Sequence, residues 1–426
     1  MKSTLTAAAL LLAGTGLFAT PAVSQSNYGA QAAAQQPAAS AAEQAPAQNP
    51  NAIKTHTPKI SREASKAIQQ LQKDVDAKNT AAIAADVAAA NAAAKNGDDR
   101  YIIGILQLKA AAGASDEAGV AAAIEAMLAS GSVTQEEKFP LYLNLAQSYA
   151  SVHQDARAAA AYQQALQLNP GSVDATAGLA ESKVAAGQAA EGLALLEKGI
   201  ALQSAGGAHA PEKWYTRALQ IAYKAKLPQA MQIAREWITA YPTTNAWTNA
   251  LAVYQNLQQL DDAQTLDLLR LKRATGSLAP ADYFNYGDLA VRQGYSGEAK
   301  AVLDEGFAAN KVDKNNSSFS QLYALASQKS KGDQASLPAA PAAASTAVQL
   351  TGVGDAWYGY GDYAKAAAFY RASLAKGGDS NRNNLHLGMA LARQGDKAGA
   401  AAALGKVTGP MAEFAKFWLV YANTKG

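Results

Sequence analysis

The chain contains no cysteine in its 426 residues. Disulfides are therefore excluded, and so are thiolate nucleophiles and thiolate metal sites. Histidine is almost as scarce. His56, His153, His209 and His386 are scattered, and no two of them have the spacing of a helical zinc motif, so neither a metal nor any other cofactor is expected. Charge is sparse, at 17% Asp, Glu, Lys and Arg, with a formal net of +3. That balance gives no footing for nucleic acid, and the one basic cluster, Arg270, Lys272 and Arg273, reads as a solvated helix end. Beyond the N-terminal stretch there is no long uncharged apolar run, so no transmembrane helix and no membrane anchor are expected.

Catalytic signatures are missing too. There is no Gly-x-Ser-x-Gly elbow and no P-loop. Ser373-Leu374-Ala375-Lys376 fits a Ser-x-x-Lys pattern, but its companion motifs are absent, although Lys406-Val407-Thr408-Gly409 approaches one. The acidic pairs Asp98/Asp99 and Asp261/Asp262 stand at helix starts or turns, where they favour the helix dipole. His386 reads as an ordinary helix residue, and Gly359 and Gly361 as a turn between helices. The expectation is a protein without enzymatic activity.

What is present is a repeat. Tyr142-x2-Leu145-Ala146-x2-Tyr149 is followed by Ala158-x3-Tyr162 and Pro170. Leu179-Ala180 opens a second unit, with Gly192 and Leu196 on its return helix. Then come Trp214-x2-Arg217-Ala218-x2-Ile221 with Ala230-x3-Ala234 and Pro242, and next Trp247, Tyr254 and Ala263. Tyr283-x2-Tyr286-Gly287 is followed by Ala299-x3-Leu303, Val353-Gly354-x2-Trp357 by Ala366-x3-Tyr370, and Leu387-Gly388-x2-Leu391 by Ala400-x3-Leu404. The spacing is that of a repeat of roughly 34 residues made of two helices. Small residues such as Ala146, Gly287, Gly354 and Gly388 let the helices approach, and aromatics fill the space beside them.

These motifs resemble the tetratricopeptide repeat family. The resemblance implies an all-α, right-handed superhelical solenoid of antiparallel helix pairs, and a binding function. It also implies that the first helix of each pair lines a concave groove. Placed on that register, the residues pointing into the groove are Leu143, Gln147, Glu181, Tyr215, Thr248, Gln255, Phe284, Asp288, Asp355 and Tyr358. The Lys, Asn and Arg clamp by which one subgroup holds C-terminal carboxylates has no counterpart at these positions. The lining suits a neutral or mildly basic protein or peptide.

Composition divides the chain further. Residues 1–24 read as a signal peptide, with Lys2, an apolar stretch from Leu5 to Phe18 too short to span a bilayer, and Ala22-Val23-Ser24 before Gln25. With no cysteine after it, a lipoprotein anchor is excluded, and the expected destination is the periplasm of a Gram-negative bacterium. Residues 25–59 are rich in Ala, Gln and Pro and read as a disordered spacer. Residues 60–138 hold atypical N-terminal hairpins that would cap the array, and residues 139–313 form the best-matched block. Residues 314–346 are read as a decayed repeat or a hinge, and 347–426 as a C-terminal repeat pair with a capping helix. That last helix carries Phe414, Phe417, Trp418 and Tyr421, and it either covers the final repeat or offers a docking surface.

The function expected is that of a periplasmic scaffold holding a segment of a cell-envelope partner, with self-association left open. The alternatives are an accessory subunit of an export or assembly machinery, and a glycan-processing helical-array enzyme.

Overall fold

The computed structural model describes residues 57–424, apart from 206, 338 and 341–343. The stretch read as a signal peptide and almost all of the stretch read as a spacer lie outside the described residues. Among those described there are 20 α-helices and no strand. Consecutive helices pack as antiparallel pairs, so the fold is an all-α solenoid. Contacts divide the chain into two compact units, up to Ser182 and from Lys183.

The first unit holds α1 (Arg62–Asp76) with α2 (Thr80–Ala93), α3 (Gly97–Gly113) with α4 (Glu117–Ala129), and α5 (Gln135–Ser151) with α6 (Asp155–Leu168). The helix α7 (Val173–Ala185) runs across the unit boundary. Alanine-rich stretches favour helix, and polar caps decide where each one starts. Asn96 with Asp99, and Thr134 with Glu137, form capping boxes at α3 and α5. Asp99 also accepts hydrogen bonds from the Ser61 amide at 2.8 Å and the Ser61 hydroxyl at 2.7 Å, which ties the start of α1 to the start of α3. Ile68, Leu71, Val75, Ala90, Ile103 and Leu106 make the core shared by α1, α2 and α3.

The second unit begins with α8 (Ala189–Ser204), α9 (Glu212–Lys224), α10 (Ala230–Ala240), α11 (Thr244–Leu257) and α12 (Asp262–Thr275). It continues with α13 (Pro280–Arg292), α14 (Ser296–Ala308) and α15 (Ser317–Ser336). It ends with α16 (Ala347–Gly359), α17 (Tyr363–Ala375), α18 (Ser380–Arg393), α19 (Lys397–Leu404) and α20 (Ala412–Thr424). The described part of 314–346 is thus mostly one long helix. Its Leu322 and Ala326 are buried against Tyr286 and Leu303. A left-handed glycine, Gly276 (φ 71°), ends α12 where another side chain would be strained.

The small residues of the repeat pattern do what their spacing predicts. A Cβ on Gly354 would lie 2.7 Å from the Tyr370 ring, and one on Gly388 would lie 2.4 Å from Leu404. Glycines outside the quoted motifs follow the same rule, since a Cβ on Gly199 would meet the Trp214 ring at 2.1 Å. Each large residue occupies the volume its partner glycine vacates, and neither can change alone.

In the second unit the C-terminal pairs also touch helices far from them in sequence. Arg235 of α10 forms an ion pair with Glu413 of α20. Tyr254 of α11 packs on the rings of Phe414 and Phe417 at centroid separations of 5.4 and 5.6 Å. Asp267 of α12 meets His386 of α18 at 3.1 Å. Tyr295, at the N-cap of α14, donates to Asp355 of α16 at 2.8 Å. The unit therefore folds back on itself, with its C-terminal pairs seated against the second helices of earlier pairs.

Candidate functional site

Two sets of residues compete as the functional surface: the row predicted to line the groove, and a charge cluster inside the second unit.

The groove row divides in the structure. Gln147 on α5 and Glu181 on α7 are exposed. Thr248 is exposed on α11, its hydroxyl donating to the Thr244 carbonyl at 2.8 Å. Gln255 is exposed and accepts from Lys272 Nζ at 3.0 Å. Phe284 on α13 is 38% exposed and stands edge-on to Phe319 at 5.5 Å. Asp288 is half-buried and pairs with Arg292 at 2.9 Å, while Leu143 is half-buried on α5.

Three residues are not at an open surface. Tyr215 is buried, with its ring edge-on to Tyr241. Asp355 and Tyr358 are buried because α12 and α14 cover the face of α16 that carries them. The register that points them outward holds for an array whose pairs touch only their neighbours. The fold-back removes that condition at the C-terminal pairs.

Beneath α16 lies the charge cluster. Arg270 sends two parallel hydrogen bonds to Glu298, at 2.9 and 2.7 Å, and a third to Asp267 at 3.0 Å. Its guanidinium also lies over the rings of Tyr295 and Tyr358, at 5.3 and 5.1 Å. Glu298 takes a further bond from the Tyr286 hydroxyl at 2.7 Å. Asp355 accepts four bonds, from Tyr370, Tyr295, Arg382 and His386, at 2.7 to 2.8 Å. His386 reaches Asp355 through Nδ1 and Asp267 through Nε2, so both ring nitrogens face carboxylates.

Both nitrogens can donate only if the imidazole is protonated. Burial works against that charge, yet Asp267 and Asp355 outweigh it and raise the His386 pKa to about 9. Burial likewise works to raise the Asp355 pKa, but His386, Arg270 and Arg382 hold that carboxyl below the usual carboxylate range. Asp267 is held down by His386 and Arg270 in the same way. With His386 charged, three carboxylates face three cations and the cluster is neutral.

Every one of these groups is occupied by another. The imidazole is bound on both sides, which leaves neither nitrogen free to take a proton from a substrate. Ser373 is buried, its hydroxyl bonded to Thr351 and the Ala347 carbonyl, while Lys376 Nζ turns to the Ser345 carbonyl. The Ser-x-x-Lys spacing therefore builds no nucleophile and base. Among the described residues, no group of three or more His, Asp or Glu is arranged to hold a metal ion.

Two sequence readings are corrected here. Arg270 and Lys272 are buried, and Arg273 pairs with the half-exposed Glu305, so this basic cluster is a set of ion pairs, mostly internal, and not a solvated helix end. His386 is the centre of the cluster and not an ordinary helix residue. The signal that finds them is in the sequence of α12, where Leu266, Leu268, Leu269 and Leu271 surround Asp267 and Arg270. Leucines on every side of a helix leave no solvent face, so a charged pair at i and i+3 among them must be buried and paired. The carboxylates that answer Arg270 from α14 and His386 from α16 carry no such local mark.

The aromatic C-terminal helix has a dual setting. Phe414, Phe417 and Trp418 are buried, and α20 contacts α18 and α19 as well as α10. Its aromatic face covers the last pair and simultaneously meets Tyr254, which leaves it unavailable as a docking face.

No protein-family model matches the chain, and no curated protein matches it. Solved structures do. One, described as the functional characterization of Pseudomonas aeruginosa pilF, aligns over 64% of this chain and 91% of that chain, at 15% identity and a TM-score of 0.20. Another, of Naa15/Naa10 bound to HypK-THB, aligns over 82% of this chain and 63% of that chain, at 12% identity and a TM-score of 0.28. The solenoid assignment rests on the helix pairs themselves.

Proposed function

We propose that this protein is a non-enzymatic scaffold of the bacterial cell envelope that holds a segment of a protein partner along its first-helix faces. The observation that carries the reading is that Thr248, Gln255 and Phe284 of the second unit stand exposed on first helices, in a unit whose buried charge cluster is paired within itself. Hydrogen-bonding side chains together with one half-exposed aromatic are the chemistry of an adaptable contact surface. Export to the periplasm is supported by the N-terminal segment alone, and among the described residues no helix is long and apolar enough to cross a membrane.

The test is in-cell crosslinking of the tagged mature protein, with mass spectrometry of what it captures. The comparison is a variant carrying Thr248→Arg and Phe284→Ala, two exposed positions that leave the core intact. One or two dominant partners, lost in that variant, support the proposal. Capture unchanged in the variant rejects this surface, and turnover of purified peptidoglycan by the protein would replace the scaffold with the glycan-processing reading.

A further inference from the structure

The C-terminal pairs grip their own chain. Their first helices, α16 and α18, take α12 and α14 against the face that an open array leaves to a ligand. The two sides of this contact carry opposite charge. On the α12 and α14 side, Asp267, Arg270 and Glu298 sum to one negative charge. On the α16 and α18 side, Asp355, Arg382 and His386 sum to one positive charge while His386 keeps its proton. Docked, they cancel. A buried ionic contact contributes little net stability compared with an apolar one, but it specifies one arrangement sharply. The same fold-back also buries Phe414 and Phe417 against Tyr254, so release parts these rings as well as the charges.

We propose that this contact is a releasable dock, in which α12 and α14 occupy the groove of the C-terminal pairs until His386 gives up its proton. The inference goes beyond the scaffold reading, since it concerns a second, internally occupied groove. The charged and titratable groups of the cluster that holds His386 come from every helix around it. Asp267 and Arg270 stand on α12, Tyr286 on α13, and Tyr295 and Glu298 on α14. Asp355 and Tyr358 stand on α16, Tyr370 on α17 with its ring 5.5 Å from the imidazole, and Arg382 on α18 itself.

The direction follows from these partners. The docked His386 has its pKa raised from 6.5 to about 9, so its contribution is complete below 6.5 and is lost as pH rises through about 9. On release His386 keeps Asp355 but loses Asp267, and because a neutral imidazole can donate to only one of these two carboxylates, loss of the proton weakens the contact made across the dock.

The absence of native cysteine makes the test clean. Spin labels are placed at Gln232→Cys on α10 and Asn423→Cys on α20, both exposed and on opposite sides of the fold-back. The distance distribution is read by pulsed electron spin resonance, with far-ultraviolet circular dichroism in parallel. The expected result is one narrow distance at pH 7 and a second, longer population that grows by pH 10 with helicity unchanged. His386→Gln should show the longer population already at pH 7 and respond little to pH. Should that variant fail to fold, Asp267→Asn serves in its place and should flatten the pH response. A single distance at both pH values overturns the proposal. So does a pH response that survives in the variants, or helicity that falls in step with the distance change, which would mean unfolding and not release.

Discussion

Replacing Arg270 with methionine removes one charge and leaves two carboxylates without it. The side chain is 2% exposed, and the Glu298 side chain is fully buried. Methionine fills the volume of the arginine stem, so the cost comes mainly from the charges. Glu298 would keep only the Tyr286 hydroxyl as donor, and Asp267 only His386. Breaking a buried pair in this way costs about 3 to 5 kcal/mol. Glu298→Met should cost a similar amount, because it strands the guanidinium. The double variant removes both charges together and should cost at most about 2 kcal/mol, since apolar replacement of a buried pair is often close to neutral. The assay is urea denaturation of the four proteins, followed by circular dichroism and tryptophan fluorescence. The refuting result is additivity, with the double variant losing the sum of the two single losses, or an Arg270→Met loss below about 1 kcal/mol. Either would mean that the guanidinium is hydrated and the cluster is not the sealed interior described.

Other outcomes follow from the same packing. Stability of the second unit should fall by on the order of 3 kcal/mol as pH rises from 6.5 through about 9, the sign expected when folding raises a histidine pKa, and His386→Gln should flatten that slope in urea titrations. Gly199→Ala should cost about 1 to 3 kcal/mol by driving a Cβ into the Trp214 ring, whereas Trp214→Phe combined with it should recover part of the loss in thermal melts. Asp99→Ala should cost about 2 kcal/mol and fray the start of α1, read as faster amide exchange at Ser61, because the carboxylate accepts bonds from Ser61 and Lys95. Phe284→Ala, at an exposed site, should change stability by less than about 1 kcal/mol while reducing crosslinked partner.

The helix pairs were legible because their signal is local. The alternation of small and large residues at Ala146 and Tyr149, or Gly354 and Tyr370, encodes close approach of helices adjacent in sequence. Capping residues such as Thr134 and Asp261 mark the starts within a few positions of where they act. The fold-back was not legible, because nothing near Asp267 announces His386, 119 residues away. The same gap explains the groove row. Thr248 and Phe284 lie outside the fold-back and remain exposed, whereas Asp355 and Tyr358 depend on what packs over α16. Tyr215 is buried for another reason, against Tyr241 in the loop that ends its own pair. The Leu-flanked charges of α12 were the one local clue, and they say that a partner exists without saying where.

The most direct measurement joins the two ends of the fold-back. Arg235→Cys and Glu413→Cys replace an ion pair 178 residues apart with the only two thiols in the chain. A short bis-maleimide added to dilute protein at pH 7 should give an intramolecular crosslink in nearly every molecule, at a single peptide pair by mass spectrometry. An array that continues without folding back would hold these positions apart, and would show modified thiols with no intramolecular link.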